Sequence, residues 1–214
     1  MDKVDQIVSV AAPLPQADVD TDMVLPAQFL LRLDKNLGPF AFHRARQAGG
    51  FVLDQPAYKN AQILVAGPRF AIGSSREQAV WALLDAGIGC IIAPSFGEIF
   101  HANALRNGLL VLSLSEAGHT QAMAAAQQAQ RLSVDLVAQQ VTLPDQSKLD
   151  FEIDPHHRDA LMRGLDETAQ ILQDFDTDIA AFENQQAWRA PWLRISDDAL
   201  STFDYYRPEQ EDVP

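Results

Sequence analysis

The sequence predicts an α/β fold with a βαβαβ parallel core and a helical C-terminal extension. Three observations carry that prediction. Ile63-Leu64-Val65-Ala66, Cys90-Ile91-Ile92-Ala93 and Leu109-Leu110-Val111-Leu112 are short, unbroken apolar runs. Such runs mark strands buried on both faces rather than strands with one wet side. Helical stretches fill the gaps between them, from Arg76 to Ala86 and from Gly97 to Asn107. Strands alternating with helices form parallel sheets with helices packed on both faces.

The elements downstream follow from local composition. Glu116 to Leu132 is rich in Ala and Gln, good helix formers with little apolar stripe, which predicts a largely exposed helix. Ser133 to Val137 and Gln140 to Leu143 flank a short polar turn and read as a hairpin, with Leu149 to Ile153 as a further strand. Asp154-Pro155 supplies an N-cap and a proline at the first helical position, opening a helix that runs to about Leu172. Thr177 to Gln186 predicts another helix. The last stretch, with Trp188, Trp192, Tyr205 and Tyr206 among charges and prolines, has no periodicity and reads as an irregular tail or a docking arm. The organisation expected is one domain over residues 1–193 and an irregular tail over 194–214.

Composition narrows the function. Sixteen basic residues against 29 acidic ones leave a formal charge of −13 over 214 residues, so nucleic acid is not an expected partner. An anionic substrate must then be held by a few placed cations. No run approaches the roughly 18 apolar residues of a membrane span. The start, MDKVDQIVSV, lacks the features of a secretory leader. The expected location is the cytoplasm, without membrane association. A single cysteine, Cys90, rules out a disulfide framework and any cluster or zinc site built from several thiolates of this chain. It lies in an apolar strand and reads as a buried small hydrophobe. Trp81 reads as a core residue. His43, His101, His119, His156 and His157 show no ligand spacing and read as surface or helix-end residues.

The loop after the first core strand carries the chemistry. It reads Phe70-Ala71-Ile72-Gly73-Ser74-Ser75-Arg76-Glu77. Ser74 to Glu77 has the Ser-x-x-Glu spacing of a capping box, and Ser95-Phe96-Gly97-Glu98 repeats it before the next helix. Capping accounts for Ser74 and Glu77. It leaves Gly73, a second serine and an arginine unexplained, in a turn at the C-terminal end of a strand, where open α/β sheets place their ligands. Backbone N–H groups at a helix start, hydroxyl donors and a guanidinium together suit a carboxylate. The residues alone support both readings. Asp18, Asp20 and Asp22 alternate nearby, but Met23 and Phe29 stand where a calcium loop needs glycine and glutamate. On the residues alone Asp22 reads as a turn or cap residue and Arg32 as a solvated surface residue.

Residues 70 to 83, Phe-Ala-Ile-Gly-Ser-Ser-Arg-Glu-Gln-Ala-Val-Trp-Ala-Leu, resemble the Gly-Ser-Ser-Arg-Glu motif of the aconitase superfamily's swivelling domain. Val19-Asp20-Thr21-Asp22, Gln28-Phe29-Leu30, Phe51-Val52-Leu53, Ala93-Pro94-Ser95-Phe96, Asn107-Gly108-Leu109 and Phe151-Glu152-Ile153-Asp154-Pro155 resemble, in order and spacing, the isopropylmalate dehydratase small-subunit family. The likeness spans roughly residues 4 to 193. It implies a swivelling β/β/α domain around the parallel core. It also implies a hydro-lyase of leucine biosynthesis, active only with a large subunit that carries a 4Fe-4S cluster and with a small dicarboxylate substrate, while this chain binds no cofactor itself. By the same resemblance Ser74 is the general base, acting as an alkoxide stabilised by the helix start and Arg76. Ser75 and Arg76 bind substrate carboxylates, Asp22 orients other groups, and Arg32 is the second clamp. The partner's iron acts as Lewis acid on the leaving hydroxyl. The loop containing Phe29, Leu30, Leu31 and Leu33 chooses the substrate's side chain, or else forms part of an amphipathic core helix.

Two positions depart from the family pattern. Ile72 and Gln78 stand where many members have cysteine and histidine, and glutamine cannot titrate near neutral pH as histidine does. The alternatives are a small subunit acting on citraconate, dimethylmaleate or homoaconitate, and a non-catalytic partner subunit.

Overall fold

The architecture is that of a computed structural model, which describes residues 1, 3–31, 36–73 and 76–193. The strands are β1 (Gln6–Leu14), β2 (Ile63–Ala66), β3 (Cys90–Ile92), β4 (Leu110–Leu112), β5 (Arg131–Asp135), β6 (Gln140–Thr142) and β7 (Lys148–Asp150). They form one sheet in the order β4-β3-β2-β1-β5-β6-β7. β1 to β4 pair in parallel, and β1, β5, β6 and β7 pair antiparallel. The predicted parallel core is therefore present, with the predicted hairpin as β5 and β6. The organising strand β1 was not foreseen. Its alternation is weak, because Ala11 and Ala12 are both fully buried where it crosses from the hairpin side to the parallel side.

The helices are α1 (Thr21–Val24), α2 (His43–Ala48), α3 (Glu77–Asp85), α4 (Glu98–Arg106), α5 (Glu116–Gln127), α6 (Pro155–Arg163), α7 (Glu167–Asp174) and α8 (Asp176–Arg189). The α3 and α4 crossovers step in the same direction along the sheet, from β2 to β3 to β4, and the two helices touch, so both lie on one face. All residues of β2 and β3 are buried, so the other face is covered too, and α5 covers it by packing on β1, β2 and β5.

Several expectations are corrected. α5 stops at Gln127 and buries Gly118, Ala122, Ala125 and Ala126 against the sheet, so it is not a largely exposed helix, and Leu132 belongs to β5. Small side chains let a helix approach a sheet closely without a wide apolar stripe. The helix expected from Asp154 to Leu172 is broken in two: Gly164, at φ 69°, ends α6 in the left-handed conformation that glycine adopts without strain. Trp188 lies within α8 rather than in an irregular segment. Trp81 is 41% exposed and lies outside the core.

The chain divides into two compact units, Met1–Glu167 and Thr168–Pro214. The first holds the whole sheet; the second holds most of α7, with α8 and a short 3-10 turn at Pro191–Leu193. The tail expected over 194–214 lies outside the described residues. No described helix is long and apolar enough to cross a membrane.

Candidate functional site

The described site residues, Asp22 and Arg76, lie in the segments that follow β1 and β2. The chain leaving β2 is clamped on both sides. Towards the β1 side, the Asp18 amide donates to the Pro68 carbonyl (3.1 Å), Ile72 to Val19 (3.3 Å) and Thr21 to Ile72 (3.0 Å). Towards the β3 side, Phe70 donates to Ser95 (3.0 Å) and Gly97 to Phe70 (2.9 Å). The Arg69 amide donates to Ser95 Oγ at 2.9 Å. Arg69 and Ala71 carry φ of 57° and 54°, values that cost a side-chain-bearing residue energy and persist where the surroundings fix them. Gly73 follows at φ 103°, where a side chain would be strained.

Asp22 and Arg76 are bonded to each other. Arg76 Nη1 donates to Asp22 Oδ1 at 2.7 Å and to the Leu25 carbonyl at 3.3 Å. The Ala27 amide donates to the same Asp22 oxygen at 3.0 Å, and Arg44 Nη1, from α2, lies 2.8 Å from Oδ2. The hydrogen bond from Arg76 holds the Asp22 carboxyl below the usual carboxylate range, helped by the Ala27 N–H and the Arg44 charge and opposed by partial burial. Two guanidinium groups thus face one ionised carboxylate in an otherwise acidic protein. A guanidinium has five donors, so neither arginine is saturated by one carboxylate oxygen each.

The other two aspartates point elsewhere. Asp18 pairs with Arg69 through both oxygens, and Asp20 caps α1 by accepting the Met23 amide at 2.7 Å. The alternation of Asp18, Asp20 and Asp22 therefore reflects three separate local duties.

Both capping boxes are out of register. The N-cap of α3 is Arg76, with φ −112° and ψ 94° and no side-chain cap, so Glu77 is the first helical residue instead of the third. Glu77 instead accepts from Asn107 Nδ2 at 2.7 Å. Likewise Gly97 precedes α4, and Ser95 receives the Arg69 amide. Ser74, Ser75 and Arg32, the remaining expected site residues, lie outside the described residues, as does Leu33. Phe29 stacks on Phe40 with centroids 4.5 Å apart and packs edge-on against His43 at 4.7 Å, which makes it a core residue, whereas Leu31 is 92% exposed.

Sequence reasoning missed Arg44, which has no motif around it and reaches Asp22 only because α2 folds back over the β1 loop. Ile72, a departure from the family pattern, works here through its backbone: its amide and carbonyl join the β1 loop. Gln78 is the second residue of α3. His119 touches the Ala66 carbonyl through Nε2 at 2.8 Å and ties α5 to the end of β2.

Residues 1–117 match the profile of the aconitase C-terminal domain, and residues 121–155 match the LeuD_N profile. The chain is 43% identical over 202 residues to the 3-isopropylmalate dehydratase small subunit of Parvibaculum lavamentivorans, covering 90% of this chain and all of that one (100%). It is 44% identical over 191 residues to the small subunit of Phenylobacterium zucineum, covering 86% and 94% respectively. The chain belongs to the 3-isopropylmalate dehydratase small-subunit family. The crystal structure of 3-isopropylmalate dehydratase (leuD) from Methanocaldococcus jannaschii superposes with a TM-score of 0.62 at 25% identity, covering 85% of this chain and 99% of that one.

For a dehydratase small subunit of the aconitase superfamily, the family implies an iron-sulfur cluster, and the residues of this chain do not fit one. Cys90 is the single cysteine, it is fully buried in β3, and burial pushes its thiol well above the usual range. A cluster is held by several thiolates. Among the described residues no group of three or more His, Cys, Asp or Glu side chains is placed to hold a metal ion.

Proposed function

We propose that this chain is the small subunit of a cytoplasmic heteromeric 3-isopropylmalate dehydratase, interconverting 2-isopropylmalate and 3-isopropylmalate by dehydration and rehydration in leucine biosynthesis. In this reading a large subunit carries the 4Fe-4S cluster and the chemistry at the leaving hydroxyl, and this chain supplies the proton-handling and carboxylate-binding half of the site. The observation that carries the proposal is the Asp22–Arg76 bond at the ends of the parallel strands. It fixes a guanidinium within the Gly-Ser-Ser-Arg segment, where ligands of such sheets bind.

Ser74 is the general base in this proposal. It is two residues from Arg76, so their Cα atoms lie within about 7.6 Å of each other. A serine hydroxyl does not ionise at neutral pH unaided. The Arg76 charge and the N-terminal end of the nine-residue helix α3 are both positive, and both favour an alkoxide there. Ser75 and Arg76 bind substrate carboxylates, Asp22 keeps the Arg76 fork in place, and Arg32 provides the second clamp. Gln78 in place of a titrating histidine leaves Ser74 as the proton-handling group of this motif.

The test is turnover by the complex reconstituted with its large subunit, on a panel of 2-isopropylmalate, citraconate, dimethylmaleate and homoaconitate. Preferential turnover of 2-isopropylmalate supports the proposal. Preference for another acid of the panel would replace the substrate and retain the chemistry.

A further inference from the structure

A cavity of about 660 Å³ lies where β2 and β3 begin. Its lining includes Ala61, just before β2, Ile88, just before β3, and Asp85, the last residue of α3. Arg76 caps the other end of that helix, so Asp85 and Arg76 are about 13 Å apart along its axis. The cavity is therefore separate from the Asp22–Arg76 cluster. Its volume falls within the roughly 300–1,000 Å³ of small-molecule sites.

Four charged side chains line it: Arg46, Asp54, Lys59 and Asp85. Arg46 Nη1 donates to Asp54 Oδ1 at 2.8 Å, while Arg46 Nε is shielded from solvent and has no hydrogen-bond partner. An unmet donor costs energy, so this guanidinium has bonding capacity to spare. Lys59 and Asp85 are exposed and form no ion pair among the described residues. Asp85 Oδ2 accepts the Leu37 amide at 2.7 Å, and its other oxygen has no described partner. Leu53 and Ile88 are buried and supply apolar wall. The walls are fixed in place. Tyr58, also in the lining, is buried with its hydroxyl donating to the Ala126 carbonyl at 3.1 Å, and a Cβ on Gly38 would lie 2.5 Å from the Asp85 carbonyl oxygen.

We infer that this cavity binds a free α-amino acid with an aliphatic side chain. Lys59 and the spare donors of Arg46 hold its carboxylate, Asp85 accepts from its ammonium, and Leu53 and Ile88 pack against its side chain. An unpaired cation and an available carboxylate beside apolar side chains match a zwitterion, whereas Asp54 and Asp85 would repel a dianion. The ligand is thus of a different charge type from a dicarboxylate, and the inference does not rest on the proposed hydro-lyase function.

Isothermal titration calorimetry of the full chain with L-leucine, 4-methylpentanoate and 3-methylbutylamine tests it. L-leucine should bind saturably with Kd below about 10 mM. The two analogues each lack one charged group and should bind on the order of 10-fold more weakly. Lys59→Gln and Asp85→Asn should each weaken L-leucine on the order of 10-fold, and Asp85→Asn should leave 4-methylpentanoate unchanged. Asparagine keeps an acceptor for the Leu37 amide; if Asp85→Asn nonetheless fails to fold, Lys59→Gln and the analogues carry the test. Arg44→Gln, in the charged cluster, should leave L-leucine binding unchanged. The inference is overturned if L-leucine shows no saturable binding in that range, if all three ligands bind equally, or if Arg44→Gln abolishes binding and Lys59→Gln does not. Each outcome is read from binding alone, so absent turnover in the reconstituted complex would overturn the proposed function and leave this inference standing.

Discussion

Arg76 Nη1 lies 2.7 Å from Asp22 Oδ1, across 54 residues of sequence. The bond joins the loop that leaves β1 to the N-cap of α3, and it is the contact on which the candidate site is built. Replacing Asp22 with Asn keeps an acceptor for the Ala27 amide but removes the charge that orients Arg76 and Arg44. Loss of a charge-assisted hydrogen bond costs about 1.5–3 kcal/mol. Asp22→Asn should therefore lower kcat/KM of the reconstituted complex on the order of 10- to 100-fold. An Asp22→Asn/Arg76→Lys double mutant should fall short of the sum of the single effects. Additive losses would mean that the two residues act separately.

The pH dependence of stability gives a second check. The folded-state pKa of Asp22 lies below the ordinary carboxylate value of 3.8. The unfolded chain therefore binds its proton first on acidification, and the contribution of Asp22 is fully present above that ordinary value and lost as pH falls through the folded-state pKa. Chemical denaturation of wild type and Asp22→Asn should show a constant stability difference from about pH 6 to pH 8 that shrinks below about pH 4. A difference that persists unchanged into strong acid would show that the carboxylate charge is not its source.

Gly97 is required by close approach. A Cβ there would lie 2.4 Å from the Ala71 carbonyl oxygen and 3.0 Å from Ile72 Cα, both backbone atoms that cannot step aside cheaply. Gly97→Ala should destabilise the protein by about 1–3 kcal/mol. It should also raise KM, because the displaced segment leads directly into Gly73. The denaturant midpoint and steady-state kinetics check both effects together.

Asn107 is a structural joint between α3 and α4. It accepts from Trp81 Nε1 at 2.9 Å and donates to Glu77 Oε1 at 2.7 Å and the Asn103 carbonyl at 2.8 Å, tying the end of α4 to α3. Asn107→Ala should cost about 1–2 kcal/mol by chemical denaturation, and Trp81→Phe, which removes one of the three bonds, should cost less.

The parallel core was legible because its strands are unbroken apolar runs, a pattern set by burial on both faces. β1 was not legible, since Ala11 and Ala12 give no alternation, and the true length of α5 was hidden because its buried face consists of alanine and glycine. The Ser-x-x-Glu spacings misled because capping depends on backbone angles at one residue, and those angles place the α3 N-cap at Arg76 and the α4 N-cap at Gly97. At the site, the motif around Gly73 and Arg76 and the Asp22 next to Thr21 were readable as sequence. Arg44 was not, because its distance to Asp22 is a product of tertiary folding alone. Trp81 looked like core because indoles bury much area, but Asn107 offers its N–H a partner near the surface.

The central claim is that this chain supplies half of a catalytic site through the residues adjoining Arg76. Its most direct test is turnover of 2-isopropylmalate by the complex reconstituted with the large subunit, comparing wild type with Ser74→Ala. The account predicts a fall in kcat of roughly 100- to 10,000-fold, the range for loss of a general base, with KM little changed and the complex intact by size-exclusion chromatography. Turnover equal to wild type in an intact complex would contradict it.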